Sequence, residues 1–139
     1  MTTFEQIMND ILMQNDILFS VRSSGAVCEA KIENNLPLRI HDQWVTIGDE
    51  NKPWHIHVNI HDTVEARFVK EDKAGSKKVS YSIRFFDVNG GLVLRANFIN
   101  MYDDADTLIE DKATKYDNLF LKYGGKETVP LVTKQNFTS

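Results

Sequence analysis

The chain has 139 residues, of which 16 are Lys or Arg and 20 are Asp or Glu, so its formal net charge is −4. This length predicts one domain, large enough to bury a core without a disulfide or a structural metal. The acidic balance argues against nucleic acid as the main partner, because binding to phosphates requires a basic face.

Cysteine chemistry and targeting signals are both weak in this sequence. Cys28 is the only cysteine, which excludes an intramolecular disulfide and a cysteine-based zinc site. The N-terminal segment lacks a basic region and carries Glu5 and Asp10 within its apolar pattern, so it does not resemble a signal peptide. No apolar run approaches the roughly 20 residues that span a bilayer. We therefore predict a cytoplasmic protein without membrane insertion.

The apolar pattern predicts a helix followed by a series of strands. Phe4, Ile7 and Ile11 recur at helical spacing, and Thr3 with Gln6 suggests a capping box, for a helix over about residues 3–14. Short turns join the β-rich runs that follow, at about 17–22, 26–32, 43–47, 54–60, 64–70, 78–86 and 92–98. Closely spaced strands of this kind indicate an antiparallel meander rather than βαβ units.

A second helix is predicted near the C-terminus. It begins near Asp103, where acidic residues suit the positive end of the helix dipole, and it stops at Gly124. The expected fold is α+β, with a short N-terminal helix, an antiparallel meander sheet of about six or seven strands, and a C-terminal helix packed on the sheet. Residues 1–125 are the predicted single domain, and residues 126–139 a polar, loosely held C-terminal tail.

The hairpin at 78–98 has the best-defined register. Asn89-Gly90 is a strong signal for a type I′ turn between two apolar runs. Taking these two residues as the loop fixes which residues face each other. The predicted cross-strand pairs are Tyr81–Phe98, Ile83–Ala96, Phe85–Leu94 and Arg84–Arg95.

The Arg84–Arg95 pair is the first candidate for function. Like charges directly opposite are unfavourable on a sheet, so the two guanidinium groups require a counterion. Either a neighbouring carboxylate such as Glu29 or Glu65 supplies it, or a carboxylate of a ligand does. Phe86 is predicted on the same face, and apolar and cationic groups side by side suit a flat, amphipathic, dianionic ligand.

The segment 54–61 is the second candidate. At a period of two, three of the four histidines of the chain, His55, His57 and His61, point to one face of one strand. Neutral imidazole binds iron, copper or zinc and is the usual axial ligand of haem. Same-face neighbours lie roughly 6.5–7 Å apart along a strand, too far for easy chelation of one ion without a change of rotamer. The alternative is an ordinary solvated face of an antiparallel strand.

Other features add little chemistry. The sequence contains no glycine-rich nucleotide loop, no nucleophile-elbow motif and no helical HExxH motif. Cys28 alternates with small apolar residues, which predicts a buried, inert thiol. Trp44 and Trp54 are predicted to belong to the core or an interface, although either could stack on a planar ring.

Several segments together resemble a known family. These are AKIENNLP, HDQWVTIG, PWHIHVNIHDTVEARFVKED and SYSIRFFDVNGGLVLRANF, followed by an acidic start to a final helix. In this order and spacing they resemble the haem-utilisation proteins of the HutX/ChuX type, which are related to one half of the duplicated HemS-type haem-handling proteins. The resemblance extends from about Phe4 to Tyr123.

The resemblance implies haem as the cofactor and a role in iron acquisition. It implies a cytoplasmic homodimer that binds imported haem and hands it on for iron release, with a haem donor or a haem-degrading acceptor protein as further partners. His55 or His57 is then the iron ligand, because relatives carry histidines in this strand. Arg84 and Arg95, with Phe86 beside them, lie where a ligand-facing sheet surface is expected.

One departure from the family affects the ligand set. Some relatives carry a histidine in the first strand region, where this chain has Arg22. If haem binds here, either His55 or His57 does more of the ligation, or Arg22 and His41 take supporting roles. Two alternatives remain open: a haem-degrading enzyme of the HemS type, and a haem-free small-ligand or interaction module that retains the fold.

Overall fold

The computed structural model describes residues 2–32 and 36–131, and it confirms the α+β class. Two helices and more strands than the sequence pattern predicts lie within these ranges. In chain order they are α1 (Thr3–Leu12), β1 (Ile17–Arg22), β2 (Val27–Lys31), β3 (Leu38–His41), β4 (Trp44–Gly48), β5 (His55–Asn59), β6 (Thr63–Asp72), β7 (Val79–Asp87), β8 (Leu92–Phe98), α2 (Glu110–Lys122) and β9 (Thr128–Pro130).

The strands form two antiparallel sheets rather than one meander. The six-stranded sheet has the order β2-β1-β8-β7-β6-β9, and the three-stranded sheet has the order β3-β4-β5. The meander is interrupted because β1 pairs with β8, far along the chain, while β3 to β5 pair only with each other. Val45, Ile47 and Val58 on the inner face of the small sheet are buried in the common core.

Helix α1 covers the apolar face of the six-stranded sheet. Phe4 and Ile7 are buried, and the ring of Phe4 lies 5.2 Å from that of Phe85 on β7. Its capping box lies one residue earlier than predicted. The side chain of Thr2 accepts a hydrogen bond from the Glu5 amide, and the Glu5 side chain accepts one from the Thr2 amide.

Helix α2 begins at Glu110, later than the predicted start near Asp103. The side chain of Asp103 accepts hydrogen bonds from the amides of Ala105 and Thr107, so this segment forms a local turn instead of the first helical turn. Tyr116 anchors the helix, because its buried hydroxyl donates to the Ser82 carbonyl on β7. Neither helix of the described residues is long and apolar enough to cross a membrane.

The β7–β8 hairpin has the predicted register up to its last pairs. Tyr81–Phe98, Ile83–Ala96, Arg84–Arg95 and Phe85–Leu94 are all observed. The predicted type I′ turn is wrong. The Asp87 amide donates to the Gly91 carbonyl, a bulge places Phe86 opposite Leu92, and only Gly90 of the Asn89-Gly90 pair has a positive φ. The loop is thus a bulged one, with the glycine in the left-handed position.

Both edges of the six-stranded sheet differ from expectation. Cys28 on the edge strand β2 is exposed, so the prediction of a buried thiol is wrong. Its partner Val21 is 40% exposed, which shows that the apolar face extends past the part of the sheet that is covered. At the other edge, Val129 on β9 and Leu131 are buried, within the segment predicted as a loose tail. Residues 132–139 of that segment lie outside the described residues.

Candidate functional site

The histidines lie on the outer face of the three-stranded sheet. His55 and His57 are exposed on β5, whereas Val58 points to the opposite face of the strand and is buried, as the period of two predicts. His61 follows the end of the strand and does not continue the row. The sheet face therefore presents two adjacent histidines rather than three.

His55 and His57 approach each other more closely than the strand spacing predicts. Their ring centroids are 4.7 Å apart with an interplanar angle of 67°. Gly48, with φ of 95°, lies opposite His55, and a Cβ at this glycine would lie 3.6 Å from the His55 Cβ. The tightest contact of such a Cβ would be with the Trp54 carbonyl oxygen at 3.3 Å, so the positive φ and the close approach of β5 both favour glycine at this position.

Thr46 fixes the ring of His57. Thr46 lies directly opposite on β4, and its hydroxyl oxygen is 2.8 Å from Nδ1 of His57. Nε2 of His57 makes no hydrogen bond to any residue that the structure describes. For Nε2 to bind a metal, Nδ1 must carry the proton and donate it to the threonine oxygen, which a hydroxyl can accept.

A cavity of about 640 Å³ opens on this face and contains the ring of His57. Its other lining residues come from β3, from β4 and from the loop after β4: Arg39, Ile40, His41, Trp44, Thr46 and Glu50. Ile40 and Trp44 are both more than 40% exposed, so they supply apolar surface to a ligand rather than to the core. Arg39 forms an ion pair with Glu50 at 3.8 Å. This size and mixture suit a small-molecule site.

The arginines lie on the polar face of the six-stranded sheet. Arg84 and Arg95 face each other across β7 and β8, as predicted. On the other side of Arg84 lies Arg67 of β6, so three guanidinium groups form one row across three strands. The period of two on β6 does not show which strand lies beside Arg67. The pairing of β6 with β7 places Arg67 opposite Arg84 and so adds it to this row.

Carboxylates neutralise two of the three arginines. Arg84 donates to Glu71 on β6 and to the hydroxyl of Ser82, and Arg67 donates to Glu65. The hydrogen bond and charge of Arg84 hold the pKa of Glu71 below its ordinary value. Glu65, predicted as a possible counterion of Arg84 and Arg95, therefore pairs with Arg67 instead.

Arg95 lacks a counterion among the described residues. Its Nε is buried and makes no hydrogen bond there. Burial lowers the pKa of Arg95, and the neighbouring charges of Arg84 and Arg22 lower it further, while Glu71 opposes them. Arg95 and Arg22 both line a second, polar cavity of about 480 Å³, distinct from the one that contains His57.

Phe86 lies on the polar face, as predicted, at the end of β7. The guanidinium carbon of Arg67 is 4.3 Å from the centroid of its ring, a cation–π contact. Phe86 therefore already stacks on a cation of this chain, which limits the ring face that it offers to a ligand.

Solved structures share this fold. A structure described as the crystal structure of ChuX superposes with a TM-score of 0.70 at 12% identity, covering 86% of this chain and 71% of that chain. A structure of the haem-binding protein ChuX gives 0.68 at 12% identity, over 86% and 71%. A protein from Erwinia carotovora gives 0.67 at 16% identity, over 86% and 70%. At these identities the likeness establishes the fold. No curated protein matches the sequence.

A protein-family model matches residues 5–124, which is most of the chain. The chain belongs to the ChuX-type family. In this ChuX-type chain the predicted site residues divide into two groups. His41 and His57 share the cavity of the small sheet, whereas Arg22 and Arg95 share the cavity of the large one. The described residues contain no group of three or more His, Cys, Asp or Glu side chains that could hold a metal ion on their own.

Three residues of the ChuX-type chain that belong to the candidate sites were not predicted from its sequence. Thr46 and Arg39 belong to the histidine cavity, and Arg67 belongs to the arginine row. Arg39 and Thr46 lie in one cross-strand row with His57, a relationship that requires the register of three strands. His41, predicted in a loop-like stretch, is the last residue of β3 and is 92% exposed in its side chain.

Proposed function

We propose that this protein binds haem on the outer face of the three-stranded sheet, with a histidine of β5 as the iron ligand. The observation that carries the proposal is the 2.8 Å contact between Thr46 and Nδ1 of His57, which leaves Nε2 available beside an apolar cavity. Hydrogen-bond partners of this kind fix the tautomer and orientation of metal-ligating histidines in general. The name of the similar protein ChuX, a haem-binding protein, agrees with this choice of ligand.

The residues of the cavity fit a haem group. His57 offers a free imidazole nitrogen, Trp44 and Ile40 offer apolar surface to a porphyrin, and the 4.7 Å separation of the rings keeps His55 within reach. When bound, the haem would supply an iron centre that an imidazole nitrogen of this cavity could ligate. The protein's part is to hold the ring and to exclude water from its apolar faces.

For the propionates we propose arginine partners in two places. Arg84 and Arg95 form the pair expected from the sequence, with Arg22 beside them and Phe86 at the end of the same face. Arg39 lies in the histidine cavity itself, in an ion pair with Glu50 at 3.8 Å, and His41 lines the same cavity. The two groups of arginines lie at separate cavities, and we propose that each can neutralise a dianionic ligand.

The biological role that we infer is a cytoplasmic carrier in haem utilisation, which stores imported haem and hands it on for iron release. The family resemblance implies a homodimer, and we propose the same state here. Sedimentation equilibrium should then give twice the chain mass of 15.9 kDa. A mass of one chain, with and without hemin, would contradict the dimer and leave haem binding unaffected.

The test of haem binding is titration of the purified protein with hemin, followed by absorbance in the Soret region. We expect a saturable rise with one haem per chain. A featureless, non-saturating increase, like that of hemin partitioning onto an unrelated protein, would contradict the proposal and favour a haem-free ligand or interaction module.

A further inference from the structure

We propose that the polar face of the six-stranded sheet binds a dianionic group, a phosphate or a pair of carboxylates, at Arg95. This inference goes beyond iron ligation by the histidines, and it can be tested in the haem-free protein. It rests on one arginine that has no ion pair among the described residues, on a buried N–H of that arginine without an acceptor there, and on the cavity that Arg95 lines.

The charge imbalance is confined to one end of the arginine row. Arg67 is paired with Glu65, and Arg84 is paired with Glu71. Arg95 has no ion pair among the described residues, although it lies directly opposite Arg84. Opposed like charges are unfavourable on a sheet, and among the described residues Arg95 has the charge of Glu71 nearby but no ion pair, so the position suits a further anion.

The hydrogen bonding of Arg95 is incomplete as well. Its Nε is buried and has no acceptor in the described part of the chain. More than about 90% of buried polar groups in proteins have a partner, so an orphaned guanidinium N–H marks a place where an acceptor belongs. Planar guanidinium groups bind carboxylates and phosphates through paired N–H donors, which makes these oxyanions the matching class of ligand.

The cavity beside Arg95 is basic although the whole chain is acidic. It has a volume of about 480 Å³, and Arg22, Lys73 and Lys78 line it together with Arg95. Lys78 is paired with Asp106, and Glu29 is the one carboxylate among the lining residues. Arg22 lies on the same face of β1 as Ser20, the cross-strand partner of Arg95, so two guanidinium groups face the same space.

Two sources could supply such a dianion: the propionates of a porphyrin, and a free small anion. The shared chemistry is a pair of oxyanions held between Arg95 and Arg22. Inorganic pyrophosphate probes the free anion. Hemin and hemin dimethyl ester, in which both propionates are blocked, probe the porphyrin.

The experiment uses the wild type, Arg95→Gln, Arg22→Gln and the matched control Arg67→Gln. The control removes the same side chain from the same row, at a position that has its own carboxylate partner. The midpoint of thermal unfolding is measured in the haem-free proteins over a series of pyrophosphate concentrations. Affinities for hemin and for its dimethyl ester are measured by absorbance in parallel.

We expect pyrophosphate to raise the midpoint of the wild type and of Arg67→Gln, because a ligand that binds only the folded state stabilises it. In Arg95→Gln and Arg22→Gln its apparent affinity should fall at least about tenfold, because a charge-assisted contact is removed. A weaker affinity of the ester than of hemin, abolished in Arg95→Gln, identifies the propionates as a source. Equal affinities for hemin and for its ester would identify a free small anion as the ligand of this site.

The proposal is overturned if neither the pyrophosphate shift nor the difference between hemin and its ester depends on Arg95. Should Arg95→Gln fail to fold, Arg22→Gln decides the same question, because Arg22 is exposed and lines the same cavity. Absence of hemin binding together with an Arg95-dependent pyrophosphate shift would refute the haem proposal and retain the anion site.

Discussion

The hydroxyl oxygen of Thr46 on β4 lies 2.8 Å from Nδ1 of His57 on β5. The contact joins two residues that face each other across the small sheet, and it holds an otherwise exposed imidazole in one orientation. An iron ligand that is oriented before binding loses less side-chain freedom when haem arrives. This relationship therefore distinguishes His57 from an ordinary surface histidine.

Replacing Thr46 by Val should weaken hemin binding by about tenfold, because the hydrogen bond that orients the His57 ring is lost. Thr46→Ser keeps a hydroxyl at the same position and should retain most of the affinity. Hemin titration of both variants checks this. Equal affinities of Thr46→Val and the wild type would show that the hydroxyl does not position the ligand.

The two histidines of β5 should contribute unequally. His57→Ala removes the imidazole that Thr46 orients, so it should lower the affinity for hemin and shift the Soret maximum more than His55→Ala does. His61→Ala is the matched control, because His61 is exposed and lies outside the strand. A larger effect of His55→Ala would assign the iron to His55 and make His57 the supporting residue.

Tyr116→Phe should destabilise the fold by about 1–2 kcal/mol, because it leaves the buried Ser82 carbonyl without the donated hydrogen bond. Burial raises the pKa of Tyr116, so the hydroxyl stays protonated and able to donate over the whole neutral range. The free energy of unfolding in urea measures the loss. Hemin affinity should not change, since Tyr116 lines neither the histidine cavity nor the arginine cavity.

Asp16→Asn should lower stability at about pH 7 by roughly 0.5–1 kcal/mol, as expected for a partly exposed ion pair. Hydrogen bonds from Lys112 and Asn100 hold the pKa of Asp16 below its ordinary value. Its contribution is therefore complete above the unfolded-state pKa of the carboxyl and is lost as the pH falls through the lowered folded-state pKa. Urea unfolding of both proteins at about pH 7 and about pH 3 should show the difference shrinking in acid. A difference that is constant with pH would contradict this.

The local periodicities predicted much of the fold. The alternation of β5 and the register of the β7–β8 hairpin follow from the period of two, because each strand buries one face. The bulge between Phe85 and Phe86 does not follow from this period. Asn89-Gly90 suits a two-residue turn, yet the hydrogen bond from Asp87 to Gly91 adds a residue to the loop.

The features that needed the structure all depend on distant parts of the chain. β9 is three residues long and contains Pro130, so only its pairing with β6 marks it as a strand. The place of Arg67 in the arginine row is known only from the pairing of β6 with β7. The 4.7 Å approach of His55 and His57 depends on side-chain rotamers, for which the spacing along a strand gives no information.

The most direct test of the central claim is the absorption spectrum of the ferric haem complex in the His55→Ala/His57→Ala double variant. The matched control is His61→Ala, which removes an exposed histidine that lies outside the strand. We predict that the double variant on β5 loses the Soret band of histidine-ligated haem and binds hemin at least about tenfold more weakly, while the control resembles the wild type. An unchanged spectrum and affinity in the β5 double variant would contradict the assignment of the iron to this strand.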